Sequence, residues 1–440
     1  MNYKKTMEYV ETLKSYGMVP GLNSIMELCK RLSNPQDTLK FVHIAGTNGK
    51  GSVLAYLSTI LKCAGYKVGR YISPVMFHYC EKIQINGRSI SQKALSECME
   101  EIKDACEAMT LEGLPHPTLF EVETAAAFLY FKKKECDIVV LETGMGGRED
   151  ATNLIKNTLV TVFTRISRDH MQFLGNDIRE IAYQKAGIIK NGCFLISDRQ
   201  EPEVFSVLGQ EAEKKNCPVT VVNSAKKIKY GLECQKFSYV NTAGKRFLDL
   251  EISLTGKHQI ENAALAVETI GKLTEIGFLV SEKQLRKGLL ETSWQGRFEI
   301  VEKKPLFILD GAHNEDAAKK LAESIRFYFT NKRIVYIIGI LKDKEYEKII
   351  AETYAYADQI ITVTPDNPRA LPAIELAKVV QEYHPHVTAA GSLEEAVEMA
   401  YLLAKREDVI ISFGSLSYLG HLTTILKKRQ KNNAERKAGK

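Results

Sequence analysis

No apolar run in the chain approaches the ~20 residues that a membrane-spanning helix requires, so a helical membrane protein is not expected. The first residues, Met-Asn-Tyr-Lys-Lys-Thr-Met-Glu, carry no apolar stretch of signal-peptide type, and a cytoplasmic location is expected. Nine cysteines are scattered between Cys29 and Cys234 without a single C-x-x-C pair. Neither a zinc site nor a disulfide framework is expected from that pattern. Tryptophan occurs once, at Trp294, and no repeat or low-complexity tract stands out before the C-terminal tail. Excess charge is also missing from most of the chain. The net charge is +6, and the segment from Lys427 to Lys440 accounts for all of it. A basic stripe of the kind that binds nucleic acid is therefore not expected, and residues 427–440 read as a basic, disordered tail.

The composition that remains is ordinary for a globular protein, with 45% hydrophobic and 26% charged residues. At 440 residues the chain is too long for one typical core. Short apolar runs alternate with helical periodicity from Phe41 to Val222, which predicts a doubly wound, mostly parallel sheet. A hairpin is expected at 237–252, then helices near 258–276 and 281–291. A second strand–helix alternation begins near 300 and predicts a smaller α/β domain, also with a mostly parallel sheet. The expected division is an N-terminal domain over 1–295, a smaller C-terminal α/β domain over 300–426, and the tail.

The most informative stretch is Phe41-Val-His-Ile-Ala-Gly-Thr-Asn-Gly-Lys-Gly-Ser52. An apolar strand, a loop with three glycines and an apolar-periodic helix make the setting of a phosphate-binding loop. Glycine lets the backbone approach a phosphate, and helix N–H groups face the anion. Gly49, Lys50, Gly51 and Ser52 would contact the phosphates, with Lys50 among the β- and γ-phosphates. The spacing departs from G-x-x-x-x-G-K-[ST], because Gly51 separates Lys50 from Ser52.

Polar residues gather where strands should end, and open α/β sheets bind ligands there. Ser73-Pro74, Glu142 and Asp169-His170 could all face the bound phosphates, and a sparse set of donors suffices for Mg²⁺. Glu142 follows five apolar residues and is hard to explain as core. Ser73 and His170 gain weight only in its company. Lys185 sits among Ile181, Ala182 and Ile188 at helical spacing. It is either a snorkelling surface lysine or one that has lost its proton and is modified or acts near phosphate. Asp310-Gly-Ala-His313-Asn314 is a costly polar cluster for a strand end. Arg297, near the boundary, is either a phosphate clamp or a surface residue at a hinge.

With these residues in hand, the chain resembles the folylpolyglutamate synthases of the Mur ligase family, including their bifunctional dihydrofolate synthase form. The resemblance runs over roughly residues 1–425. It rests on Gly46–Ser52, Ser73-Pro74, Glu142–Asn153, Asp169-His170, Gln184–Ile188, Gly256–Ala264, Trp294–Arg297 and Asp310–Asn314. It implies an ATP-dependent ligase that joins L-glutamate to the carboxylate of a folate, or of dihydropteroate, through an acyl phosphate. It also implies roles. Ser73, Glu142 and His170 match magnesium ligands, and Gly49 to Ser52, Asn262, Arg297 and Asp310 match ATP contacts. Lys185 matches a lysine whose carbamate carries a second Mg²⁺. His313 matches a histidine of the interdomain active site, and Gly414–Tyr418 resembles a glutamate-side loop. Val75 and Cys80-Glu-Lys-Ile83 depart from the family pattern in the pterin-side loop, and the Gly17–Gly21 loop lacks an acidic residue found in some bifunctional members. These departures bear on which folate form is accepted.

Two other functions fit parts of the pattern: a family relative that adds an amino acid to a cell-wall precursor, and a nucleotide-regulated binding protein without ligase chemistry. Phe120-Glu121 and residues 142–153 favour the folate branch, and mere binding would not need Lys185, Asp310 and His313. A monomer is expected, because no long apolar helix face or coiled-coil pattern stands out.

Overall fold

A computed structural model describes residues 1–17 and 19–438. Its first sheet is built on strands with almost no polar interruption. These are β1 (Phe41–Ala45), β2 (Val68–Tyr71), β3 (Ile83–Ile85), β4 (Arg88–Ser89), β5 (Ile138–Glu142), β6 (Thr158–Phe163), β7 (Phe194–Ser197) and β8 (Val219–Val221). Their order is β4-β3-β2-β5-β1-β6-β7-β8. From β2 to β8 every neighbouring pair is parallel, whereas β3 and β4 form an antiparallel edge. All residues of β1 and β5 are buried, as both faces of a central parallel strand require.

Alternation of side chains divides that apolar content between two cores. Val42, Ile44, Val68 and Val140 pack beneath helices Lys50–Cys63 and His258–Glu275. Phe41, Val139 and Leu141 point the other way, toward helices Gln92–Leu111 and Leu119–Lys133. Glu121 closes a capping box with Thr118 at the start of the second of these helices, which explains its burial without any role in binding.

The expected hairpin is present as β10 (Gln235–Val240) and β11 (Arg246–Ile252), and β9 (Lys226–Lys229) adds a third antiparallel strand. Every residue of β9 is exposed, so it carries no apolar alternation that a sequence reading could detect.

A second large sheet contains β12 (Glu299–Lys303), β13 (Leu306–Leu309), β14 (Ile334–Ile338), β15 (Gln359–Thr362), β16 (Val387–Ala389) and β17 (Val409–Phe413). Their order is β12-β13-β17-β14-β15-β16, parallel except for β12 against β13. Charged residues on β12 suit an edge strand, which must not invite further pairing.

The C-terminus differs from the disordered tail expected over 427–440. Helix Leu416–Ala438 continues through it, and residues 439–440 lie outside the described residues. The physical reason is anchorage. Leu426 is buried, Lys427 lies 5.7 Å from the Phe77 ring centre, and Arg429 stacks 4.1 Å over Tyr401 while pairing with Glu398. Among the described residues no helix is long and apolar enough to cross a membrane.

Candidate active site

Both large sheets present the carboxyl ends of their parallel strands to one cleft. Residues following β1, β2, β5 and β6 line it on one side, and residues following β13 and β17 line it on the other. Each sequence-predicted site residue borders this cleft: Gly49, Lys50, Gly51, Ser52, Ser73, Glu142, His170, Lys185, Asn262, Arg297, Asp310 and His313.

The loop after β1 is shaped by close approaches. Gly49 has φ 93° and precedes helix Lys50–Cys63, and a Cβ there would stand 2.7 Å from Asn262 Oδ1. A Cβ at Gly51 would stand 2.8 Å from Trp294 Nε1. Lys50 Nζ folds back to donate to the carbonyls of Gly46 (3.2 Å) and Thr47 (3.1 Å). Ser52 Oγ accepts from Gln259 Nε2 at 3.2 Å, and Asn262 Nδ2 donates to Gln259 Oε1 at 3.0 Å.

Lys185 is buried, which disposes of the snorkelling alternative. Its Nζ donates to the Gly46 carbonyl at 2.8 Å, the same oxygen that Lys50 uses. Burial, helped by the nearby Lys50 charge, pushes Lys185 down to about 7. A substantial neutral, nucleophilic fraction is thus present near neutral pH.

Glu142 ends β5 and is buried. Burial pushes its carboxyl up to about 7, against the opposing pull of Lys50 and Arg297. The backbone N–H of Ser73 donates to it, and the Ser73–Pro74 peptide is cis. Burial holds His170 down at about 4 despite Asp169, whose Oδ2 lies 3.8 Å from His170 Nε2.

On the opposite wall, Asp310 accepts from the backbone N–H groups of Phe298 (2.9 Å) and Ala312 (2.8 Å). Burial raises its carboxyl, and Arg297 opposes that rise. The Arg297 guanidinium is itself lowered by burial and lies in the field of Asp310 and Glu142, so it is a cleft residue and not a surface residue at a hinge. His313 is held down at about 4 by burial. Its Nδ1 lies 2.7 Å from the Gly311 carbonyl, which can only accept, so the neutral ring keeps Nε2 as its acceptor.

The walls are joined by Asn48, Asp316 and Lys344, to which the sequence reading gave no role of their own, together with Asp169 and Asn314. Asn48 Nδ2 donates to Asn314 Oδ1 (3.1 Å) and Asp316 Oδ2 (2.8 Å). Asn314 Nδ2 donates in turn to Asp169 Oδ2 at 3.0 Å. Lys344, beyond the end of β14, donates to Asp169 Oδ1 at 2.9 Å, and both side chains are only 10% exposed. Burial alone would raise Asp169, but Lys344, His170 and His313 hold it well below the usual carboxylate range. Lys344 carries no motif, and only its place at the carboxyl end of a strand could have marked it. Tyr418 of the Gly414–Tyr418 loop is fully buried and donates to the Phe413 carbonyl at 2.6 Å, so it is a core residue, and Leu416 borders the cleft in its place.

A second cavity of about 350 Å³ adjoins the first, and Gly51, Ser73, Glu142 and Arg297 line both.

Comparison with known proteins agrees with this layout. Residues 44–270 match the Mur ligase middle domain, and residues 296–416 match the Mur ligase, glutamate ligase domain. A dihydrofolate synthase/folylpolyglutamate synthase of Bacillus subtilis (strain 168) is 35% identical over 433 residues, 97% of this chain and 99% of the relative. Mycobacterium tuberculosis folylpolyglutamate synthase, solved with ADP and AMPPCP, superposes with a TM-score of 0.88 at 30% identity, covering 96% of this chain and 99% of that one. E. coli FolC, solved with DHPP and ADP, gives 0.84 at 29%, covering 97% and 98%.

Proposed function

The chain belongs to the Mur ligase family, among its folylpolyglutamate and dihydrofolate synthases, and we propose that it joins L-glutamate to the carboxylate of a folate with cleavage of ATP. The observation that carries this reading is the convergence of Lys50, Glu142, Lys185, Arg297, Asp310 and His313 on one cleft between two sheets. Names of the relatives favour a folate acceptor over a cell-wall precursor, and dihydropteroate is a second candidate acceptor.

The folate carboxylate attacks the γ-phosphate of ATP, giving an acyl phosphate and ADP. The amine of L-glutamate then attacks the acyl carbon, and phosphate leaves as the amide forms. Two anions must approach in the first step, so cationic groups have to offset their repulsion. Lys50 and Arg297 supply that charge from opposite walls. Gly49 to Ser52 cradle the phosphates with backbone N–H groups, and Asn262 and Asp310 complete the nucleotide contacts. His313 Nε2, an acceptor on a neutral ring, is suited to receive a proton from the attacking amine.

Mg²⁺ fits the donor set. Ser73, Glu142 and His170 would hold one ion, leaving room for water and phosphate oxygens. A cation beside Glu142 would draw its raised carboxyl back to the anionic form. Lys185, already partly neutral, is suited to carbamylation, and the carbamate would hold a second Mg²⁺. When bound, the ions screen phosphate charge in the first step.

Residues 1–295 would act as the nucleotide-binding domain and 300–426 as the glutamate-ligase domain, closing near 295–300 to keep water from the acyl phosphate. A monomeric cytoplasmic enzyme suits these parts. ADP release should be measured with ATP, Mg²⁺ and L-glutamate, adding tetrahydrofolate or dihydropteroate in turn. The reading predicts release that depends on at least one pterin. Release that depends on neither would sink it.

A further inference from the structure

Arg70 stands where the sequence pattern of its sheet face calls for an apolar residue. It lies on β2, paired with Val140 of β5 and Gln84 of β3. Val68, two residues earlier on the same face, and Val140 are both fully buried in the core beneath helix Lys50–Cys63. A guanidinium in that series needs a reason.

Its partners are all neutral. Nε donates to Gln84 Oε1 at 2.8 Å, Nη2 donates to the same oxygen, and Nη1 reaches Ser58 Oγ at 3.5 Å. The guanidinium carbon lies 5.5 Å from the centre of the Trp294 ring. Two carboxylates share the cavity with Arg70 but are engaged elsewhere. Glu81 Oε2 accepts the backbone N–H groups of Met76 and Phe77, and Glu142 accepts that of Ser73. Burial pushes the guanidinium down to about 10 with no carboxylate holding it up. Five N–H donors meet three acceptor contacts, so donors remain for a ligand.

The cavity beside Arg70 is continuous with the reacting centre, because Ser73, Glu142 and Arg297 line both spaces. We propose that the Arg70 cavity is a carboxylate subsite, taking a glutamyl carboxylate that does not itself react. Its source is either the α-carboxylate of the terminal glutamate on the folate tail or a carboxylate of the incoming L-glutamate. Both must be carried into a half-buried site beside the reaction, where an unpaired anion is costly. Arginine matches a carboxylate with two parallel N–H groups, and the Trp294 face keeps the guanidinium in plane. The assignment rests on the ligase reading above.

The test is steady-state kinetics of Arg70→Gln and Arg70→Lys, with melting temperature as the control for folding. Gln retains a polar side chain next to Gln84 without the charge. The expected result is a rise of about 10–100-fold in one KM, with kcat within about threefold of wild type and partial recovery in Arg70→Lys. If the folate tail is the source, KM for a folylglutamate rises, while KM for L-glutamate and for dihydropteroate, which has no α-carboxylate, stays. If the incoming amino acid is the source, KM for L-glutamate rises with either pterin. Unchanged KM values, or a fall in kcat and melting temperature together, would overturn the subsite. If wild type turns over no pterin, the ligase reading has failed, and thermal shift decides the subsite separately. L-Glutamate or a γ-linked diglutamate raising the melting temperature of wild type but not of Arg70→Gln would support it, and no shift in wild type would overturn it.

Discussion

The two large sheets offer the cleft very different kinds of chemistry from the same place in the fold. On the β1–β8 side the cations are held by main-chain carbonyls, with Lys50 and Lys185 sharing the oxygen of Gly46. On the β12–β17 side, Asp310 is held by main-chain N–H groups, and Lys344 is held by the opposite wall through Asp169. Lys50 and Lys185 are thus held within the first wall, whereas Lys344 is held by a residue of the opposite one. A phosphate-binding half can be built in advance. A half held across the cleft instead depends on where the opposite wall stands.

The largest effect should come from breaking the self-contained half. Lys50→Ala removes a cation from the approach of two anions, and kcat should fall by about 10³-fold or more. Its two hydrogen bonds are to loop carbonyls, so the melting temperature should move by only a few degrees. A large loss of melting temperature would mean that Lys50 is chiefly structural. Next comes the contact between the walls. Lys344→Ala leaves both sheets intact but frees Asp169, and kcat should drop about 10–100-fold through misplacement of the second wall. Equal activity would show that the bridge is incidental to turnover.

Asn314→Ala sharpens the comparison, because the residue serves both its own helix and the opposite wall. It caps helix Glu315–Tyr328 through the N–H of Ala317 and also bonds to Asn48 and Asp169. Loss of the cap should cost about 1 kcal/mol in urea unfolding, and KM for ATP should rise several-fold as well. A stability loss without any kinetic change would confine it to the cap.

The last effect concerns pH. Folded Lys185 sits at about 7, below the ordinary lysine value of 10.5. Between those values the unfolded chain binds the extra proton, so this group's contribution to stability falls as pH drops through that window and levels off below 7. Lys185→Met removes the titration. Its stability advantage over wild type should therefore widen from pH 10 to pH 7 and then stay constant, as read from paired urea titrations. A constant difference across that range would place the folded lysine at its ordinary value.

Much of this was legible in the residues because the signals are local. The apolar strand expected at the start of the Phe41–Ser52 stretch is present as Phe41–Ala45, and the helix expected after its glycine loop as Lys50–Cys63. Lys50, Glu142 and Asp310 stand out because each is a charged or polar residue that follows an apolar strand. Strand β9 was illegible because all four of its residues are exposed. The anchored C-terminal helix was illegible for another reason: its basic residues look solvated until Tyr401, Glu398 and Phe77 are placed beside them.

The sequence alone determined the alternation that makes two mostly parallel sheets, since apolar periodicity is a property of neighbouring residues. It also determined the glycine-rich loop that opens helix Lys50–Cys63, because glycine spacing and a helix start are local. Tertiary structure alone decided which charges meet. Asp169 and Lys344 are far apart in the chain, as are Lys50 and Lys185, and nothing in their neighbourhoods encodes the contact. Burial was decided there too. It made Lys185 a partly neutral amine, raised Glu142 to about 7, and left Arg70 a cation with only neutral partners, because desolvation depends on what the fold packs around a group and not on its neighbours in sequence.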